Sequence, residues 1–203
     1  HKIRKITPEG VVTTFAGSGA LGDDDLTGAA ASFNKPRGIT IDTSGNLYVA
    51  DGLNHKIRKI TPEGEVSTLA GSVEGYGEGT GAAASFNKPT GITIDTSGNL
   101  YVADLGNHKI RKITPEGVVT TFAGSNRSFA DGLGTAAKFN YPSGITIDTS
   151  GNLYVVDNQN NRIRKITPEG LVSTIAGSTL GTEDGPGAVA KFNYPSGITI
   201  DAS

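Results

Sequence analysis

The chain repeats itself. The string HKIRKITPEG begins at His1, His55 and His108, and NRIRKITPEG begins at Asn161, so the spacings are 54, 53 and 53 residues. A second string, ITIDTSGNLYV, begins at Ile39, Ile92 and Ile145, and the sequence stops six residues into a fourth version, ITIDAS, at Ile198 to Ser203. Between residues 39–69 and 92–122 only five of 31 positions differ. A period of this length restricts the fold to an array or ring of one supersecondary unit, because each unit must bury its apolar faces against its neighbours.

Within a unit the apolar period is two. Ile39 and Ile41 alternate with Thr40 and Asp42, and the runs Leu47-Tyr48-Val49-Ala50 and Val66-Ser67-Thr68-Leu69 read as further short strands. Asp42-Thr43-Ser44-Gly45-Asn46 and Thr61-Pro62-Glu63-Gly64 carry turn residues. Pro36 suits a strand start, where its missing N–H costs no ladder bond. Four strands per unit are expected: Gly38 to Asp42, Asn46 to Asp51, His55 to Thr61 and Glu65 to Ala70. The apolar spacing of three between Ile57 and Ile60 fits either a bulge or a strand buried on both faces. Four antiparallel strands repeated every 40 to 55 residues form the pattern of a propeller blade, so the fold class is all-β.

The segments Phe33-Asn34-Lys35-Pro36, Gly38-Ile39-Thr40-Ile41-Asp42, Gly45 to Asp51, Asn54 to Lys59 and Thr68-Leu69-Ala70-Gly71 resemble the NHL repeat. The resemblance covers essentially the whole chain. It implies a β-propeller, commonly six-bladed, with each blade's strands running outward from a central axis. Similar repeats serve as binding platforms in RNA regulators, ubiquitin ligases and bacterial surface proteins, and relatives of the architecture include amidating lyases and lactonases. A bacterial extracytoplasmic or cell-surface setting follows from the resemblance alone, and fold analogy does not choose among the activities.

One propeller domain over 1–203 is expected: a partial blade 1–18, blades 33–72, 86–125 and 139–178, and a partial blade 192–203. A third and a fourth strand, three complete units and one first strand make fifteen strands, one short of four blades. The missing second strand, together with the opening His1 and the absence of Met, suggests a segment of a longer protein. Unpaired blade edges make a homo-oligomer the competing expectation.

Near-identical blades leave information in the positions that differ. These are the connections Gly19 to Ser32, Val73 to Ser85, Asn126 to Lys138 and Thr179 to Lys191, and the tips Gly52-Leu53, Leu105-Gly106 and Asn158-Gln159. Successive turns of an antiparallel blade alternate between its ends, so both variable sets are expected on one face and the DTSGN and TPEG turns on the other. The candidate ligand-binding residues are Lys35, Arg37, Tyr76, Lys88, Arg127, Phe129, Tyr141 and Tyr194, as aromatic and Arg residues make good anchors. Drift in surface loops is the alternative, and Tyr141 and Tyr194 also suit packing across the blade junction.

Catalysis finds little support in the residues. All three histidines occupy one repeat position on separate blades, where they cannot share a metal ion. No unique Ser, His and Asp set stands out, and identical blades do not supply the unlike roles an active site needs. Acidic residues cluster in the connections, at Asp23-Asp24-Asp25, Glu74, Glu78, Asp131 and Glu183-Asp184, without the spacing of a calcium loop. They read as solvated. Asp42, Asp95, Asp148 and Asp201 on the first strands could ring a cation, but each is better explained by its own turn. The run GYGEGTG at Gly75 to Gly81 lacks the Lys and the strand-turn-helix setting of a phosphate loop, and Asn126-Arg127-Ser128 is an isolated glycosylation sequence.

The chain has 18 Lys and Arg against 20 Asp and Glu, which excludes a basic nucleic-acid arm and an acidic tail. Twelve of the 18 basic residues form the repeated stripe of Lys56, Arg58 and Lys59 and its copies. Without stacking aromatics the stripe reads as structural, with Arg58 pairing Asp51 across the hairpin. No stretch reaches the roughly 18 apolar residues of a membrane span, and no Cys is present. The reading is a non-enzymatic module, with no cofactor, metal, nucleic acid or membrane insertion, that presents its variable face to a protein, peptide or glycan. Its alternatives are a lyase- or lactonase-like enzyme with an axial cation, and a structural spacer or amplified array without ligand.

Overall fold

The computed structural model describes residues 1–201. Strands β1 (Ile3–Ile6) and β2 (Val12–Ala16) form a two-stranded sheet. A four-stranded blade follows from β3 (Pro36–Ile41), β4 (Leu47–Asp51), β5 (Lys56–Ile60) and β6 (Val66–Ala70), in sequential antiparallel order. The next connection contributes β7 (Gly79–Thr80), ahead of the second blade, β8 (Pro89–Ile94), β9 (Leu100–Asp104), β10 (Lys109–Ile113) and β11 (Val118–Ala123). The third blade repeats the plan with β12 (Gly132–Leu133), β13 (Pro142–Ile147), β14 (Leu153–Asp157), β15 (Arg162–Ile166) and β16 (Leu171–Ala176). No α-helix occurs among the described residues.

The blades stack through both faces. Ile57 packs into a cluster with Ala50, Ala70, Phe86, Ile92, Leu100, Val102, Ile113 and Val119, which spans the junction of the first two complete blades. Ile60 packs the other way, with Val49, Val66, Phe33 and Ala16. The spacing of three therefore reflects a strand buried on both faces, and a bulge is present as well: pairing with the fourth strand shifts register between Ile57 and Arg58, and again between Ile110 and Arg111 and between Ile163 and Arg164.

At the axial end, glycine lets the inner strands touch. A Cβ on Gly38 would lie 2.2 Å from Thr90 O, one on Gly91 2.3 Å from Ser143 O, and one on Gly144 2.7 Å from Ser196 O. Only glycine fits such an approach without moving the neighbouring backbone.

Four sequence expectations need amendment. Residues 198–201 form no strand, since among the described residues no second strand pairs with them; Ala202 and Ser203 of the expected last blade lie outside the described residues. The histidines are not on strand three: His55 and His108, like Asn161, end a 3-10 turn in the left-handed region at φ 57, 58 and 53°. The connections do not stay on one face. After meeting the tips they descend the outer edge of the following blade, where β7 pairs with β11 and β12 with β16, and Gly28, Gly81 and Gly134 donate to Gly64 O, Gly117 O and Gly170 O of the TPEG turns. Nor are all the loop carboxylates solvated. Asp25 and Asp131 pair with Arg58 and Arg164, and Glu78 accepts from Thr121 N–H at 2.7 Å.

Candidate binding face

Each blade is pinned to the connection ahead of it by a buried Arg. Arg58 Nη1 lies 3.0 Å from Asp51 Oδ2, with both side chains fully buried, and its guanidinium also donates to Ser32 O and Asp24 O and stacks over Phe33. Arg111 and Arg164 repeat this with Asp104 and Asp157, over Phe86 and Phe139. Burial pushes the Asp104 carboxyl up to about 6, against the pull of Asn107, the Asn87 N–H and Arg111. Three of the twelve stripe residues, Arg58, Arg111 and Arg164, are therefore core, because a buried guanidinium must find carboxylate and carbonyl partners for its donors.

The first-strand aspartates are consumed locally. Asp42 Oδ1 accepts from Ser44 and Asn46 N–H, and Oδ2 from Asn46 Nδ2 and Tyr48 Oη; Asp95 and Asp148 do the same. Among the described residues no group of three His, Asp or Glu is placed to hold a metal ion.

The tips and the proximal connections come together. Asn54, Asn107 and Asn160 Nδ2 donate to Gly22 O, Gly75 O and Ser128 O, while Leu53, Gly106 and Gln159 N–H donate to the carbonyls of Asn34, Asn87 and Asn140. The DTSGN and TPEG turns meet at the opposite end, where a Cβ on Gly45 would touch Pro62 and one on Gly98 would touch Pro115.

Four candidate residues share one unusual conformation. Lys35, Lys88, Tyr141 and Tyr194 each precede Pro with φ of 51, 53, 55 and 47°. Their N–H groups donate across the blade junction to His1 Nδ1, His55 Nδ1, His108 Nδ1 and Asn161 Oδ1, at 3.0, 3.2, 3.1 and 2.9 Å. That cross-blade bond repays the left-handed backbone, and it gives the histidines a role that repeat position alone does not reveal. An Nδ1 that accepts the Tyr141 N–H carries no proton of its own, which suits His108. Burial, and then Arg127, hold the His108 pKa below the usual histidine range.

Two depressions open on this face. The axial one, about 340 Å³, is lined by Arg37, Thr90, Ser143 and Ser196 together with the tip residues Leu105 and Asn158. Thr90 Oγ1 is spent on Ser143 O and Ser143 Oγ on Ser196 O, so Arg37 is its only charged lining residue. Arg37, Thr90, Ser143 and Ser196 occupy one repeat position. The sequence reading singled out Arg37 alone, although unlike residues there mark all four.

The second depression, about 320 Å³, lies where the second and third complete blades meet and is lined by Tyr76, His108, Lys109, Asn126 and Arg127. Lys109 Nζ sits 5.3 Å from the Tyr76 ring centroid, Arg127 lies over Tyr141 at 5.4 Å, and His108 meets Tyr141 edge-on at 4.7 Å. Of the eight candidates, Tyr76, Arg127 and Tyr141 are thus brought together, whereas Arg37 faces the axis. Lys35, Lys88 and Tyr194 stand at other junctions, and Phe129 packs against Arg162 further out, 4.2 Å from its guanidinium carbon. The contact between Tyr76 and Lys109 is made by Asp23 and Lys56 one repeat earlier, as an ion pair at 2.6 Å. His108 and Lys109 belong to the near-invariant string, so variation could not have pointed to them.

The NHL repeat family model matches residues 86–113 and 139–166, and the Teneurin NHL domain model matches residues 18–78. The human NHL repeat-containing protein 2 is 30% identical over 99% of this chain and 33% of its own length. The chain belongs to the NHL-repeat family. It spans about a third of that relative. Among solved structures, an auxiliary nutrient binding protein from Bacteroides thetaiotaomicron aligns with a TM-score of 0.71 at 20% identity, over 98% of this chain and 53% of that one. A streptogramin B lyase aligns at 0.59 and 19% identity, over 93% and 50%. At such identities the likeness concerns the fold: this NHL-repeat chain is an all-β propeller of four-stranded antiparallel blades, an architecture that supports a binding or scaffold module and is shared with enzymes.

Proposed function

We propose that this NHL-repeat chain is a non-enzymatic binding module whose tip-and-connection face takes a protein, peptide or glycan. The observation that carries the reading is the depression between the second and third complete blades. Tyr76, Lys109, His108 and Arg127 meet there, with no carboxylate lining the depression and with Tyr141 stacked on Arg127 at its edge. Aromatic rings beside fixed cations suit a ligand that offers both an apolar surface and an anionic group. Asp42, Asp95 and Asp148 are engaged in their own turns and the Thr90 and Ser143 hydroxyls in inner-strand contacts, which supports a scaffold over an enzyme. The test is binding to an array of acidic oligosaccharides and peptides. The Tyr76→Ala and Arg127→Ala variants are expected to weaken any hit about tenfold or more, the size of an interface anchor, and Glu116→Gln in an opposite-face turn to leave it unchanged. Turnover of a lactone or ester by the wild-type protein, lost when Arg37 is changed at the axis, would replace this reading with the enzymatic one.

A further inference from the structure

In each complete blade the first cation of the third strand meets a side chain of the connection ahead of it, and the three meetings differ. Lys56 is neutralised by Asp23 at 2.6 Å, and Arg162, over the Phe129 ring, donates to Asn160 O at 2.7 Å. Lys109 instead lies over the Tyr76 ring, and its Nζ has neither a carboxylate nor a carbonyl partner among the described residues. Arg127 adds a second cation to the same depression, at a position where the other connections carry Leu21, Glu74 and Leu180. Its Nε donates to Asn140 Oδ1 at 3.1 Å, which leaves both terminal nitrogens without an acceptor among the described residues. Glu78, the carboxylate that senses Lys109, accepts from Thr121 N–H at 2.7 Å and does not line the depression. One repeat earlier the places of Tyr76, Lys109 and Arg127 are held by Asp23, Lys56 and Glu74, and one repeat later by Phe129, Arg162 and Leu180. Two cations without counter-charges therefore meet at the junction of the second and third complete blades and not at its equivalents.

An uncompensated pair of cations fixes the sign of what can bind, and the surroundings fix its shape. Tyr76 is 71% exposed, so its ring offers an open, electron-rich face to C–H groups. The planar fork of Arg127 can take two oxygens of one group while Lys109 acts as a point charge beside it. Main-chain groups around the depression are already paired: Gly106 N–H donates to Asn87 O, His108 N–H to Leu105 O, and Gly75 O accepts from Asn107 Nδ2. A peptide laid here finds no open strand edge to join, whereas a sugar ring needs none. We infer that the ligand of this depression is an acidic saccharide, one sugar ring lying on Tyr76 with its anionic group, a carboxylate or a sulfate ester, held between Lys109 and Arg127. The inference rests on the binding-face reading and narrows it to one ligand class.

Titration calorimetry of this chain with four probes tests it: an oligogalacturonate, a sulfated galactan oligosaccharide, the uncharged galactan oligosaccharide and oligoglutamate. At least one of the two anionic sugars is expected to bind about tenfold or more tightly than the neutral one, the weight of one charge-assisted contact, and which of them binds identifies the anionic group. Oligoglutamate is expected not to bind. Two variants borrow side chains that the fold already accommodates at the same repeat position: Arg127→Leu, as at Leu21 and Leu180, and Tyr76→Asp, which gives Lys109 the ion pair that Asp23 makes with Lys56. Each is expected to keep the wild-type circular dichroism spectrum and to weaken the anionic sugar about tenfold or more. No binding by any probe, equal affinity for the neutral and anionic sugars, or binding of oligoglutamate alone that the variants weaken would overturn the inference and leave the wider binding-face reading standing. An anionic sugar whose binding neither variant changes is seated elsewhere, and that result would overturn both.

Discussion

Asp51 and Arg58 stand across one hairpin, and their pairing is legible in the sequence because the turn between them is short. Their burial is not. It depends on the path of the preceding connection, which brings Ser32 O, Asp24 O and the Phe33 ring over the guanidinium. Arg58 uses Nε on Asp25, while Arg111 and Arg164 leave Nε without a partner, so the copies are less equal than their sequences. The histidines show the same limit: nothing local says that Nδ1 of His108 will accept from Tyr141 N–H 33 residues away. This bond predicts a pH effect. With the folded pKa of His108 held below the unfolded value, the unfolded chain takes up the proton first, so the contribution of this bond is complete above about pH 6.5 and is lost as pH falls below it. His108→Asn keeps an acceptor, as Asn161 already does for Tyr194, and removes the titration. Urea unfolding of both proteins is expected to show the stability difference shifting toward the Asn variant as pH drops from about 7 to 5. Parallel curves would exclude the clamp.

The strands follow from period-two patterning and from the turns between them, and the ambiguity around Ile57 and Ile60 dissolved because both readings of it hold. The two-residue strands β7 and β12 carry no pattern, since Gly79–Thr80 and Gly132–Leu133 are selected by the neighbouring outer strand alone. The inner strands make their own prediction. Adding a methyl at Gly91 forces it against Ser143 O and Ile145 N, so Gly91→Ala is expected to cost about 1–3 kcal/mol in urea unfolding, as overpacked sites do. The same change at Gly197, where an added Cβ meets nothing within 4 Å, is expected to leave the stability of this chain unaltered. Equal costs at the two positions would mean that inner-strand contact does not set the blade spacing.

Stacked blades exchange stability only with their neighbours, so damage at one junction should divide the chain. Phe86 is fully buried between the first two complete blades. Phe86→Ala is expected to cost about 3–5 kcal/mol and to split unfolding, with amides of β3–β6 exchanging ahead of those of β13–β16. A single transition, uniformly shifted, would contradict nearest-neighbour coupling. For the protein as a whole, the repeated string determined the blade, its four strands and the ends at which its turns lie, because patterning and turn chemistry act over a few residues. Which variable residues meet was decided by the fold. Tyr76, Lys109 and Arg127 come from two connections and a strand end, and only the stacking of one blade on the next brings them within reach of a common ligand. Sequence distance carries no trace of that meeting, since the contacts that produce it are made by side chains identical in every copy.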